Sequence, residues 1–133
     1  MTHSTAVDRP RELTTTAYVL TGLLVAFLFL LALRGYLAPE SAARGFGIPL
    51  AAARDDAFLF IKAGRDLSIG VMLIGLILAG KRGPLAAVIA ASLIIPLNDC
   101  LQVIARGDVG YALGVHGSAV AYGLVVLWVL RRR

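Results

Sequence analysis

Charge is scarce in this chain. Only 16% of its 133 residues are Asp, Glu, Lys or Arg, where a soluble domain carries roughly 25%. Cysteine is scarcer: Cys100 stands alone, which excludes an internal disulfide and any multi-cysteine metal site. No nucleotide-cradling loop, redox motif or metal-ligand spacing occurs. Low-complexity tracts and internal repeats are missing too, and no polar stretch is long enough for a separate soluble domain. The net charge of +5 would suit a nucleic-acid partner. However, the basic residues gather at the ends of apolar runs and do not alternate with aromatics. Neither nucleic acid nor a cofactor or metal is expected.

Apolar residues are what the chain has in plenty: 59% of the total, with a mean hydropathy of +0.83. Four apolar runs predict spans over about 14–33, 57–79, 84–105 and 112–130. Each suffices to cross a hydrocarbon layer of ~30 Å as a helix. Lipid leaves backbone groups no outside partner, so helices are expected over anything sheet-like. The expected fold is all-α: one integral membrane four-helix bundle with antiparallel up-down spans and a longer outer loop between the first two. The first run follows Arg9 and Arg11 as a signal peptide would, but it is long for that role and lacks a clean small-x-small cleavage site.

Lys81–Pro84 and Arg106–Gly110 read as short turns, with Pro84 opening the third helix. The long connection, Arg34 to Asp56, contains "GFGIP" (Gly45–Pro49) and predicts a bent, ordered excursion, with a short interfacial helix at Leu50–Asp56. Four spans place both termini on one side. Seven basic residues fall there: Arg9, Arg11, Lys81, Arg82, Arg131, Arg132 and Arg133. Four fall on the other: Arg34, Arg44, Arg54 and Arg106, beside Glu40, Asp55, Asp56 and Asp108. The positive-inside rule then puts both termini in the cytoplasm of a bacterial-type plasma membrane. Tyr18, Tyr36, Tyr111 and Trp128 lie near span ends, as interface anchors do.

Polar residues inside the spans converge on one depth. At a rise of 1.5 Å per residue from the outer end, Lys62 lies ~7 Å deep and Asp66 ~13 Å deep. On the third span Asp99 lies ~9 Å and Asn98 ~10 Å deep, and on the fourth His116 lies ~6 Å deep. Lys62 and Asp66 are helical i,i+4 neighbours with Arg65 alongside. Ser92, Asp99, Gln102 and Arg106 share a helical face, bordered by Asn98. Pro96 has no amide for the Ser92 carbonyl, which frees an acceptor and predicts a kink. Gly110, Gly114 and Ser118 predict a close backbone approach near His116. Four unpaired charges at a helix centre would cost ~10 kcal/mol. Two cationic and two anionic residues invite mutual pairing inside the bundle.

"GRDLSIG" (Gly64–Gly70), "IPLND" (Ile95–Asp99) and "VHG" (Val115–Gly117) occur in this order and span context, after the upstream "GFGIP". Together they resemble a family of small four-span proteins, domain of unknown function 4267, from about Gly35 onward. The resemblance implies a four-helix integral membrane protein with Arg65, Asp66, Asp99 and His116 in the family's polar positions. It implies no reaction.

Three functions compete. In the first, a polar pocket binds or converts a lipophilic small molecule entering from the outer leaflet. Asp66 or Asp99 would be the general acid, His116 the base, and Arg65 with Lys62 the stabilisers of a developing oxyanion. Asn98, Gln102 and Ser92 would bind substrate; isomerisation, cyclisation or epoxide opening suits that equipment. In the second, the carboxylates and histidine relay protons in a small proton- or ion-coupled transporter. The polar residues stop in the outer half, so a path onward would need a homo-oligomer. In the third, an accessory subunit keeps the cluster for folding alone. Lys62 and Arg65 oppose a bound cation, and Cys100 reads as a small apolar filler.

Overall fold

The computed structural model describes residues 13–132, and of residues 53 and 54 the backbone alone. The anchors assigned to Arg9, Arg11 and Arg133, and to the Arg54 side chain, lie outside the described residues. All regular structure among the described residues is helical.

Helix α1 runs Thr15–Leu37, opened by Thr14, whose Oγ1 accepts from the Ala17 amide at 3.2 Å. It continues four residues past the expected end at Leu33. Arg34, the charge that suggested the stop, donates to the Ser41 carbonyl at 3.2 Å and hydroxyl at 3.0 Å. Pro39, which cannot extend α1, instead starts helix α2, Pro39–Phe46. Gly47 ends α2 with φ of 90°, a left-handed conformation that suits glycine. The long connection therefore folds earlier than expected. Its true helix is α2, and the stretch expected to be helical, Leu50–Asp56, holds only a single tight turn at Ala53–Asp56. There the Asp55 carboxylate accepts from the Ala52 amide at 2.9 Å.

Helix α3 spans Ala57–Leu78. The next 23 helical residues, Arg82–Ile104, divide at Leu93 into α4, Arg82–Ser92, and α5, Ile94–Ile104. The division falls where Pro96 withholds its amide from Ser92, as the sequence predicted. Pro84 sits in the third position of α4 and not at its start. The last 23 helical residues, Val109–Arg131, begin as α6, Val109–Ala112, capped by Asp108, whose Oδ1 accepts from the Tyr111 amide at 2.9 Å. They widen into a π-helical turn, Leu113–Gly117, and finish as α7, Ser118–Arg131.

Three of these segments are long and apolar enough to cross a membrane: Thr15–Leu37, Arg82–Ile104 and Val109–Arg131. Helix α3 matches them in length but carries Lys62, Arg65 and Asp66. Their outward faces are apolar, with Leu37, Ile61, Leu78 and Ile94 all more than two-thirds exposed.

Helix α1 packs along α3, while α4 packs on α3 and α7. The α1–α3 contact is tightest at Gly35, where an added Cβ would stand 2.8 Å from the Ala63 Cβ. The expected close approach at Gly110 and Gly114 is not made. Both are exposed, with nothing within 4 Å of an added Cβ. Two apolar clusters form. One joins Ala17, Val25, Leu73, Ile89 and Val126 at the end holding the Arg82–Leu130 contact; the other joins Cys100, Val103 and Ala112 at the opposite end. The second is sealed from above by Phe46, Ile48 and Tyr111.

Candidate functional site

Between the two clusters lies a cavity of about 540 Å³. Its polar end is built first by α3. Helical spacing places Lys62 one turn before Asp66, and Lys62 Nζ donates to Asp66 Oδ2 at 2.6 Å. Arg65 donates to Asp66 Oδ1 through Nε and Nη2, both at 3.2 Å. Asp66, 3% exposed, thus has both oxygens engaged by cations. A carboxylate buried so deeply requires that. The same Arg65 Nη2 reaches across to Asp99 Oδ2 of α5 at 3.6 Å, so one guanidinium ties α3 to α5.

The π turn contributes His116, which is buried. Its Nε2 lies 2.9 Å from the Phe46 carbonyl. A carbonyl only accepts, so Nε2 carries the proton and Nδ1 is left as the basic nitrogen of the neutral ring. The Phe46 ring packs edge-on against His116, with centroids 4.7 Å apart, and lies beneath Lys62 Nζ at 5.8 Å. Helix α2 is pinned there by Tyr111, whose hydroxyl lies 3.0 Å from the Gly45 carbonyl and 3.3 Å from that of Arg44.

Below this polar end the walls turn apolar, with Leu24, Leu28, Ile69, Leu73 and Ile89 lining the cavity. Ser92 and Tyr122 are polar exceptions, but the Tyr122 hydroxyl is spent on the Leu20 carbonyl at 2.8 Å. The cavity is an amphipathic chamber: charged at one end and oily at the other.

Six of the eight site residues expected from sequence line it: Lys62, Arg65, Asp66, Ser92, Asp99 and His116. The other two do not. Asn98 and Gln102 are exposed, and Gln102 instead accepts from Arg106 Nη1 at 3.3 Å through its side chain. Both lie on α5 beside Asp99, which keeps its place on the lining, so the cavity wall takes in Ser92 and Asp99 but not the flanks of that face. Cys100 is buried with its thiol 3.5 Å from the Ala112 carbonyl, which fits the filler role. Sequence reasoning missed Phe46 and Tyr111, although the helix-ending Gly47 inside "GFGIP" marked where the chain would fold back.

No curated protein and no solved structure matches the chain. The model of the family described as Domain of unknown function (DUF4267) matches residues 25–130, well over half of the chain, and the chain belongs to that family.

Proposed function

We propose that this is a four-span integral membrane protein that binds a lipophilic small molecule in the α1–α7 cavity and converts it by acid–base chemistry. The observation that carries the reading is the cavity itself: about 540 Å³, within the ~300–1,000 Å³ typical of small-molecule sites, with charged groups confined to one end. A cluster needed for folding alone would be served as well by a filled interior. In this reading α3 is the fourth span, its three charges turned toward the site and its apolar residues toward lipid. The positive-inside rule then sets both termini in the cytoplasm and the charged end in the outer half of a plasma membrane.

The geometry divides the labour between the carboxylates. Asp66 has both oxygens engaged by Lys62 and Arg65, so it anchors the two cations. Asp99 holds one long ion pair and faces the cavity, which makes it the general acid or base. His116, with Nε2 fixed by Phe46, offers Nδ1 as the complementary proton acceptor. Lys62 and Arg65 keep donors to spare for oxygen that gains charge during the reaction. Isomerisation, cyclisation and epoxide opening all move protons without consuming an oxidant or reductant.

A filling substitution tests the reading. Ala119 lines the cavity, and Ala119→Phe would occupy it. The wild-type protein, purified in mild detergent and extracted into organic solvent, is expected to release a small lipophilic molecule that Ala119→Phe lacks, with both proteins equally folded by circular dichroism. Identical extracts containing only bulk membrane lipid would refute the proposal.

A further inference from the structure

The free hydrogen-bonding groups at the charged end specify what the occupant's head must be. Asp66 has little acceptor capacity left, since three N–H groups take three of its about four lone-pair sites. Asp99 is the reverse. Its one ion pair among the described residues is with Arg65, at 3.6 Å, beyond the ~2.7–3.2 Å of a hydrogen bond. It accepts no hydrogen bond among the described residues, yet it is buried at the cavity wall. Buried carboxylates are normally supplied with donors, so a donor is missing from this one.

Ser92, further down the same wall, repeats the pattern. Ser68 and Ser118 bond back to helix carbonyls, each at 2.8 Å, and Ser41 accepts from Arg34. Ser92 does neither among the described residues, and Pro96 leaves its carbonyl without the usual helical amide. Facing this wall are donors in excess: an ammonium has three N–H groups and a guanidinium five, of which Asp66 takes one and two.

The charges in the cluster balance, Lys62 and Arg65 against Asp66 and Asp99, and Arg34, the other cation on the lining, is exposed and bonded to Ser41. An ammonium head would leave an uncompensated positive charge in the apolar interior, and a carboxylate head a negative one. Both are strongly disfavoured there. A hydroxyl meets every requirement: it donates to Asp99, accepts from Arg65 or Lys62, and brings no charge.

Resting on the pocket reading above, we propose that the occupant is an uncharged lipophilic alcohol whose hydroxyl donates to the free Asp99 carboxylate, with its tail running toward Leu73. From Asp66 to Leu73 the cavity follows α3 for ~10 Å at 1.5 Å per residue, room for an extended apolar tail.

The test compares three photoreactive probes on the protein in lipid nanodiscs. Dodecanol, dodecanoic acid and dodecylamine each carry a diazirine midway along the tail, and labelled residues are mapped by mass spectrometry. The alcohol is expected to label cavity residues such as Leu73 and Ile89 about tenfold more than the other two. Asp99→Asn should lower that labelling about tenfold, since a charge-assisted hydrogen bond is lost. An acid or amine that labels the cavity as well as the alcohol overturns the assignment of the head but leaves an occupied pocket. Labelling by all three confined to outward positions such as Leu30 and Leu101 overturns the pocket with it. A folded Asp99→Asn protein that keeps the full preference overturns the role of Asp99. Should that variant fail to fold, the comparison of heads on the unaltered protein still decides.

Discussion

Replacing Asp66 by Asn is the sharpest test of how the charged end is held together. Asp66 is 3% exposed and receives 2.6 Å and 3.2 Å hydrogen bonds from two cations. The substitution keeps the shape and leaves Lys62 and Arg65 with only Asp99 between them. Stripping one partner from a buried pair costs roughly 3–5 kcal/mol. Because the Arg65 side chain is 33% exposed, solvent softens the loss, and about 3 kcal/mol is expected. Removing the stranded ammonium as well, in Lys62→Met with Asp66→Asn, should restore about half of that, a coupling within the roughly 0.5–3 kcal/mol seen for residues in one network. Lys62→Met alone should cost less than Asp66→Asn, because Arg65 still serves Asp66. Equilibrium unfolding in mixed micelles of increasing SDS content, followed through Trp128 fluorescence, gives all four stabilities. A single Asp66→Asn variant within 0.5 kcal/mol of wild type, or a double variant no more stable than it, would refute the reasoning.

Four further outcomes follow from the packing. Gly35→Ala places a Cβ 2.8 Å from the Ala63 Cβ and should destabilise by about 1–3 kcal/mol. Gly22→Ala, with nothing within 4 Å, should be neutral or gain up to ~1 kcal/mol from helix propensity; the same unfolding titration reads both. Tyr111→Phe removes the hydroxyl that pins α2, a loss of about 1 kcal/mol. It should speed amide hydrogen exchange in residues 39–48 while α4 and α7 stay as protected as before. Maleimide should modify Cys100 at least tenfold more slowly in the folded protein than in SDS, because the thiol is buried and access governs its reactivity; equal rates would show that the α5–α6 cluster opens freely.

Hydropathy made the long helices legible, because an apolar run of twenty residues has few alternatives to a helix. Depth counting likewise brought Lys62, Arg65, Asp66, Asp99 and His116 to one place, since the rise per residue varies little between helices. Faces were less legible. Asn98 and Gln102 were assigned to the site from depth and from a face shared with Asp99, yet both are exposed while Ser92 and Asp99 line the cavity. The Gly110–Gly114–Ser118 spacing is interrupted by the π turn at Leu113–Gly117, which local sequence does not announce. Helix α2 was hidden because it is only eight residues long and sits inside a connection between two apolar runs. Its position depends on distant partners, the Tyr111 hydroxyl and the His116 ring, which no local pattern contains.

The sharing of Arg65 between two helices bears on how the chain is assembled. On the membrane-spanning reading proposed above, α3 emerges from the ribosome before α5, and alone it carries Lys62, Arg65 and Asp66. The local Lys62–Asp66 pair mutes one charge of each sign during insertion, and a net positive helix waits in the bilayer. Its counter-charge, Asp99, is synthesised 34 residues after Arg65, on a segment that is itself apolar enough to span. Helix α3 is therefore an incomplete substrate for the insertion machinery until α5 meets it. Biogenesis would then depend on retention of α3 at the translocon until α5 arrives, so a chain cut after Gly83 would be cleared by proteolysis while the full chain persists.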